Sequence, residues 1–498
     1  MICQNGIGGE GFKAMNGQTC EEGRTGQKAQ YLDYAFRPRS IAMVGVSTKA
    51  TMEDEGYLES MLSHGYRGPL YLVNPKGGEI RGLKVYPSLM EIPGPVDYAI
   101  LLTRAERIPQ VMEDCAAKEV KVAYALATGF SESDDAEAGR QLEAQIVEIA
   151  RRGGVRLIGP NAMGIYCPSS GLSFLGFYPR EAGHIGHIAQ SGGNASDVVE
   201  PGFHRGLRFS KVVSYGNACD LNECDFLEYL ACDPETEIIV MYIEGTRDGR
   251  RFVKALSEAT RAKPMIVFKG GRTEAGARAT LSHTSSLAGD DAVWDGLFRQ
   301  MGVIQVYNME ELIDILVTFS FLKPPRGRNI ALVGCGGGRG VLGADDCERA
   351  GLRVPRLSPE ISRKLKDILP EAGASLHNPI DHPPVMAGWG GDSLLQTLRL
   401  VSGCENIDLL LAHIRLRLGF TRESVAEGVD TVIKAHRELG KPVAMALSSS
   451  GSVELYTLAH QLQQEFQQAG VPVYPTVGRA AHAISKLIGY HEQRNGVG

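Results

Sequence analysis

The residues Ser40-Ile41-Ala42-Met43-Val44-Gly45-Val46-Ser47 decide the fold class. An apolar run of strand length ends in a glycine turn, passes into polar residues and leads to a predicted helix around residues 57–64. The same unit recurs downstream: apolar runs at 70–73, 98–102, 122–127 and 155–158 are separated by helical patterns such as 107–118 and 136–152. Runs that stay apolar at every position, rather than at every second one, belong to strands buried on both faces. Five of them alternating with helices predict an α/β fold built on a doubly wound parallel sheet, which takes ligands beyond the carboxyl ends of its strands.

Those ends carry the candidate binding residues of the first unit: Gly45 and Ser47, Asn74-Pro75-Lys76, Thr103-Arg104, Thr128-Gly129 and Gly159-Pro160-Asn161. The first turn lacks a complete GxGxxG, and the second strand ends in Asn-Pro-Lys instead of the acidic residue that grips a ribose diol. Both features disfavour a nicotinamide cofactor. A basic turn stiffened by proline suits a phosphorylated nucleotide with no diol to read, and the 3′-phospho-ADP of coenzyme A is one. Lys76 taken alone reads equally well as a solvated surface lysine.

A second alternating unit starts near His184. The run 185–189 leads to Gln190-Ser191-Gly192-Gly193, which opens a helix. Ser191, Gly192 and Gly193 would offer an anion unpaired backbone N–H groups and the positive end of a helix dipole, or would form a plain structural turn. The run 238–243 ends in Glu244-Gly245, and the run 265–268 leads into a stretch from Gly271 to Gly289 rich in small residues, with His283 near its middle. That stretch is expected to be a mobile loop. If the two strands are neighbours, Glu244 and His283 leave the sheet at one edge. After the linker Pro324-Pro325-Arg326-Gly327-Arg328, a third unit begins with the run 330–333 and a second bare turn containing Gly337, Gly338, Arg339 and Gly340. It lacks the GK[ST] ending of a P-loop. Runs at 409–412, 443–447 and 471–474 follow, and Asn378-Pro379-Ile380-Asp381 marks a turn expected to face the same site.

A chain of 498 residues exceeds one hydrophobic core and predicts two to four domains. We expect a disordered or irregular extension at 1–35 and domains at 36–168, 169–323 and 324–498. A net charge of −6 gives no footprint for nucleic acid. The apolar runs are too short to span a bilayer, and residues 1–30 lack the apolar stretch of a secretory signal. Ten cysteines without framework spacing point to a reducing compartment, with the cytoplasm as default. Cys219, Cys224 and Cys232 form no CxxC pair and have no histidine ligand nearby, so no metal site is expected.

From about Phe36 onward the chain resembles the alpha subunits of the NDP-forming acyl-CoA synthetases, the group of ADP-forming acetyl-CoA synthetase and, more distantly, succinyl-CoA synthetase. The resemblance rests on Asn74-Pro75-Lys76, Gly159-Pro160-Asn161-Ala162-Met163-Gly164, Gln190-Ser191-Gly192, Tyr242-Ile243-Glu244-Gly245, Gly271-Arg272-Thr273 with Ser282-His283-Thr284, and Gly337-Gly338-Arg339-Gly340, in that order. It implies an N-terminal Rossmann-like domain binding coenzyme A, followed by two flavodoxin-like domains, the first carrying a phosphohistidine loop. It further implies that His283 is transiently phosphorylated, that Glu244 holds its ring, and that the two glycine turns cradle the phosphoryl group. A carboxylic acid or acyl-CoA is the implied substrate. ATP or ADP with Mg²⁺ would sit on a separate ATP-grasp beta subunit, in a heterotetramer, with a homodimer of this chain as the other arrangement. The chemistry suits the residues: an imidazole is nucleophilic near neutral pH, and a carboxylate on its other nitrogen fixes the tautomer and stabilises the phosphorylated ring. The alternative is a non-catalytic protein of the same stock that only holds coenzyme A or acyl-CoA.

Overall fold

The computed structural model describes residues 30–46, 52–284, 289–334, 336–369, 375–382, 391–449 and 451–496, with the backbone alone at 52–55 and 281–284. The first sheet contains β1 (Ile41–Val44), β2 (Leu70–Val73), β3 (Gly78–Ile80), β4 (Leu83–Tyr86), β5 (Tyr98–Leu101), β6 (Val122–Ala125) and β7 (Arg156–Ile158). Their order is β3-β4-β2-β1-β5-β6-β7, and every pairing is parallel except β3 with β4. Strand order reverses between β1 and β5, which creates the crevice where such sheets bind ligands. All residues of β1, β5 and β6 are buried. One face, lined by Ala42, Val44, Ala99, Leu101 and Ala123, packs against Ile108, Met112, Cys115, Ile146 and Ile149 of the helices Ile108–Ala117 and Ala136–Gly153. Each valine, leucine, isoleucine or methionine side chain buried there stabilises the fold by about 1.5–3 kcal/mol, and each alanine by less.

Where a disordered or irregular start to residue 35 was expected, residues 30–36 are ordered: Gln30–Leu32 and Asp33–Phe36 are helical turns. Leu32, Ala35 and Phe36 are fully buried, Phe36 stacks on Tyr229 at 5.0 Å, and Tyr31 Oη donates to Asp225 Oδ1 at 2.6 Å. The cause is tertiary packing, which a segment this short does not announce in its pattern. Residues 1–29 lie outside the described residues.

The second sheet contains β8 (Gly164–Tyr166), β9 (Ile185–Ala189), β10 (Phe209–Ser214), β11 (Ile238–Ile243), β12 (Met265–Lys269) and β13 (Ile304–Val306), in the order β13-β12-β11-β9-β10-β8. β9 to β13 are parallel with the flavodoxin-like reversal between β9 and β11, and β8 adds an antiparallel edge. The stretch expected as a mobile loop after β12 is in part a helix, Glu274–Thr284, and His283 sits in its last turn. Ala275, Ala277, Ala279 and Leu281 are strong helix formers, and Thr273 Oγ1 accepts the Gly276 N–H at 3.1 Å to start the helix.

The third sheet contains β14 (Ile330–Gly334), β15 (Ile380–Asp381), β16 (Leu409–Arg415), β17 (Val443–Ser448) and β18 (Val473–Tyr474). It is parallel throughout, in the order β15-β14-β16-β17-β18, which is again flavodoxin-like. Among the described residues no helix is long and apolar enough to cross a membrane.

Candidate functional site

The reversal point of the second sheet positions Glu244 and the Ser191-Gly192-Gly193 turn. β9 and β11 are neighbours, and the chain leaving β9 turns at Gln190, whose N–H donates to Tyr242 O at 3.1 Å. The helix Gly192–His204 starts there, with extended Ser191 as its N-cap and no side-chain capping bond. Gly192 is required by packing, because a Cβ would strike the Met163 side chain. The first-turn N–H groups of this helix are donors without intrahelical partners. Gln190 turns back instead, its Oε1 accepting the N–H groups of Glu244 at 2.8 Å and Gly245 at 3.3 Å.

Glu244 is 3% exposed, and Tyr242 Oη donates to its Oε1 at 3.1 Å. Lys269, the last residue of β12, donates from Nζ to Glu244 O at 2.7 Å and also to Gly270 O. Because Ile243 and Lys269 are register partners, Glu244 and the Gly270-Gly271 turn leave the sheet side by side, as the sequence predicts for neighbouring strands. Arg272 anchors that turn through Asp291 at 2.8 Å and Asp295 at 2.9 Å. It also lies 4.7 Å from the centre of the Tyr307 ring. The His283 imidazole and Ser285 lie outside the described residues. Tyr242 and Lys269 escape sequence reasoning: one reads as a strand residue, the other as a solvated strand end.

In the first sheet, Gly45 follows β1 with φ +101°, and a Cβ there would strike Leu102 O at the end of β5. Glycine is the residue that combines this conformation with so close an approach. Asn74 braces the neighbouring turn on the first one. Its N–H donates to Tyr86 O at 3.0 Å, its Nδ2 donates to Val46 O at 2.8 Å, and its Oδ1 accepts the Lys76 N–H at 3.0 Å. Pro75, Lys76, Arg104, Thr128 and Gly129 are exposed and Thr103 is half-buried. Gly129 donates to Glu132 Oε1 at 2.7 Å, and Asn161 donates from Nδ2 to Asn217 Oδ1 at 3.2 Å. Ser47 lies outside the described residues.

The segment between Gly159 and Gly164 ties the first two sheets together. Tyr57 Oη donates to Met163 O at 2.8 Å, Tyr124 Oη donates to Ala162 O at 2.9 Å, and Met163 N–H donates to Ser214 Oγ at 3.1 Å. No sequence pattern marks these tyrosines, which are far from the motif they hold.

At the third sheet the helix Gly337–Arg349 follows β14, with Gly336 as N-cap at φ +102°. Asp381 Oδ1 accepts the Gly336 N–H at 2.8 Å, and Gly340 lies against Pro379, so the Asn378–Asp381 turn does meet the glycine turn. Gly334 leaves no room for a Cβ above the His413 ring. Burial pushes His413 down to about 4, Arg339 acts in the same direction, and Asp381 opposes them. Gly337 and Gly338 are exposed and Arg339 is half-buried.

Comparison with known proteins agrees with this architecture. Residues 39–168 match a family described as CoA binding domain, and residues 182–319 match one described as succinyl-CoA ligase like flavodoxin domain. The acetate–CoA ligase (ADP-forming) I subunit alpha of Pyrococcus furiosus is 34% identical over 461 residues, covering 92% of this chain and 97% of that protein. The acetate–CoA ligase (ADP-forming) I of Archaeoglobus fulgidus is 34% identical over 459 residues, and there the chain spans 63% of a longer protein. A solved structure of acetyl-coenzyme A synthetase 1 from Ca. Korarchaeum cryptofilum, in complex with phosphate and ADP, superposes with a TM-score of 0.81 at 30% identity, covering 94% of this chain and 98% of that one. With a mostly parallel first sheet that matches a CoA-binding family, two flavodoxin-like sheets following it in sequence and a near full-length match to an alpha subunit, the chain belongs to the family of alpha subunits of the ADP-forming acyl-CoA ligases.

Proposed function

We propose that this chain is the alpha subunit of an acid–CoA ligase that interconverts acyl-CoA, ADP and phosphate with carboxylic acid, CoA and ATP, through an acyl phosphate and a phosphohistidine. The observation that carries this reading is the arrangement at the second sheet: a buried carboxylate, Glu244, leaves β11 beside the strand that leads to His283. The uncapped helix start at Ser191-Gly192-Gly193 stands on the other neighbour of β11.

Coenzyme A would bind at the reversal point of the first sheet. Gly45 keeps that crevice free of side chains, Asn74 orders the adjoining turn, and Lys76 and Arg104 supply exposed cations for phosphates. Thr103, Thr128, Gly129 and Asn161 complete the rim. Attack of phosphate on the thioester carbonyl releases the thiol of CoA and forms an acyl phosphate. His283 then takes the phosphoryl group while the carboxylic acid leaves, and Glu244 stabilises the positive charge that the ring acquires. Transfer from His283 to ADP regenerates the imidazole and makes ATP. Phosphoryl transfer needs alignment and electrostatic stabilisation above all, and helix N-termini supply both. The third-domain turn, with Gly337, Gly338, Arg339 and Gly340, would serve as a second anion-binding turn. One of its donors, the Gly336 N–H, is already held by Asp381.

The nucleotide step is assigned to a separate ATP-grasp beta subunit carrying ATP or ADP with Mg²⁺, in a heterotetramer. The relatives named as subunit alpha support a partner chain, and the longer relative has length to spare for a further module. The test is thiol release from acetyl-CoA with phosphate, Mg²⁺ and ADP, using the chain alone and with a co-purifying ATP-grasp chain. Turnover that requires the second chain and ADP supports the ligase. CoA binding without thiol release, even with that chain present, supports the binding-protein alternative instead.

A further inference from the structure

Lys269 is a lysine at the end of a central strand that is 2% exposed, an unusual place for an ammonium group. Among the described residues no carboxylate pairs with its Nζ directly. Its hydrogen bonds go to two main-chain carbonyls, Glu244 O on the neighbouring strand end and Gly270 O on its own, with the Trp294 ring centre 5.2 Å away. One ammonium therefore bridges the two turns that leave the sheet at the candidate site: one carries Glu244, the other leads into the helix that carries His283. The bond to Glu244 O fixes the backbone from which the carboxylate is aimed, and Tyr242 Oη fixes the carboxylate itself.

We infer that Lys269 is a positioning residue for phosphoryl transfer: as a cation it clamps the Glu244-Gly245 turn to the Gly270-Gly271 turn and so sets the carboxylate that serves His283. This rests on the phosphohistidine reading. The charged groups facing it are Glu244 from β11, Asp291 from the helix Asp291–Met301 and Arg272 from the turn after β12. Burial lowers the ammonium to about 8, Arg272 acts the same way, and Asp291 and Glu244 oppose them. The clamp is thus charged at neutral pH and is lost as pH rises through the range above 8.

The test uses the full chain with acetyl-CoA and [³²P]phosphate, reading the rate of acid-labile labelling at pH 7 and pH 9 in the wild type, Lys269→Arg and Lys269→Met. Lys269→Met should label roughly tenfold more slowly at pH 7, in the range typical of lost support around a functional group. The wild type should slow between pH 7 and pH 9, whereas Lys269→Arg, charged throughout, should hold its rate. Labelling of Lys269→Met at the wild-type rate, or identical pH dependence in wild type and Lys269→Arg, overturns the inference. If the wild type takes no label, the phosphohistidine reading fails by itself. A crystal structure of Lys269→Arg beside Lys269→Met then decides the clamp: Glu244 displaced from Tyr242 only in the methionine variant supports it, and Glu244 in place in both overturns it.

Discussion

Gly45 shows how the absence of one methyl group lets two strand ends approach closely at a sheet's reversal point. A side chain there would have to hold φ near +101° and push Leu102 O aside, so Gly45→Ala should destabilise the chain by about 2–3 kcal/mol. A lowered urea midpoint together with weaker CoA binding by calorimetry is the expected result. Glu244 makes a different demand, since its main chain is held by Gln190 and Lys269 independently of its charge. Glu244→Gln should therefore keep the thermal midpoint while slowing phosphorylation of the chain by on the order of 10²-fold, measured by rapid-quench labelling. Glu244 was readable in the sequence because it ends a strongly apolar run. Lys269 was not, because a lysine closing a strand ordinarily points to solvent, and only the fold shows two carbonyls enclosing it.

At the scale of elements, the strands that sequence reasoning found are those whose apolar runs are unbroken, such as β1, β5, β6 and β11. β10 escaped because Lys211 interrupts its pattern, although that lysine is fully buried and paired with Asp233 and Glu235, each at 2.7 Å. Lys211→Ala leaves Asp233 buried without its closest cation and should cost about 3–5 kcal/mol, read as a lower urea midpoint. β3 and β8 were missed because they are very short edge strands, and β4 because Lys84 breaks its apolar run. The helix holding His283 was hidden by its small residues, which read as a loop although alanine favours helix. At the third sheet Asp381 acts as a remote cap for the helix Gly337–Arg349. Asp381→Ala should cost about 1 kcal/mol and raise amide exchange in the first turn of that helix, whereas Asp381→Asn should be close to neutral.

Across the whole chain, the second and third sheets each bury a histidine whose charge is disfavoured there. His187 in β9 and His413 in β16 are both pushed down to about 4, mainly by burial. In the unfolded chain they titrate near about 6.5, so between that pH and about 4 the unfolded state binds more protons. Their contribution to stability is complete above pH about 6.5 and is lost as pH falls through the folded values. Urea midpoints should drop between pH 7 and pH 5, and His187→Leu should flatten part of that slope. The order of the three sheets was legible from the recurrence of strand, glycine turn and helix. The packed residues 30–36 were not, because Phe36 and Tyr31 find their partners, Tyr229 and Asp225, on a helix nearly two hundred residues away. In the proposed reaction this scaffold loads and unloads His283. Intact-mass and fragment-ion measurement of the chain after mixing with acetyl-CoA and phosphate tests it most directly. The expected result is one acid-labile phosphoryl group, located on His283 and absent from His283→Ala. An unmodified chain in the presence of its partner subunit, or a phosphoryl group that persists in His283→Ala, would contradict it.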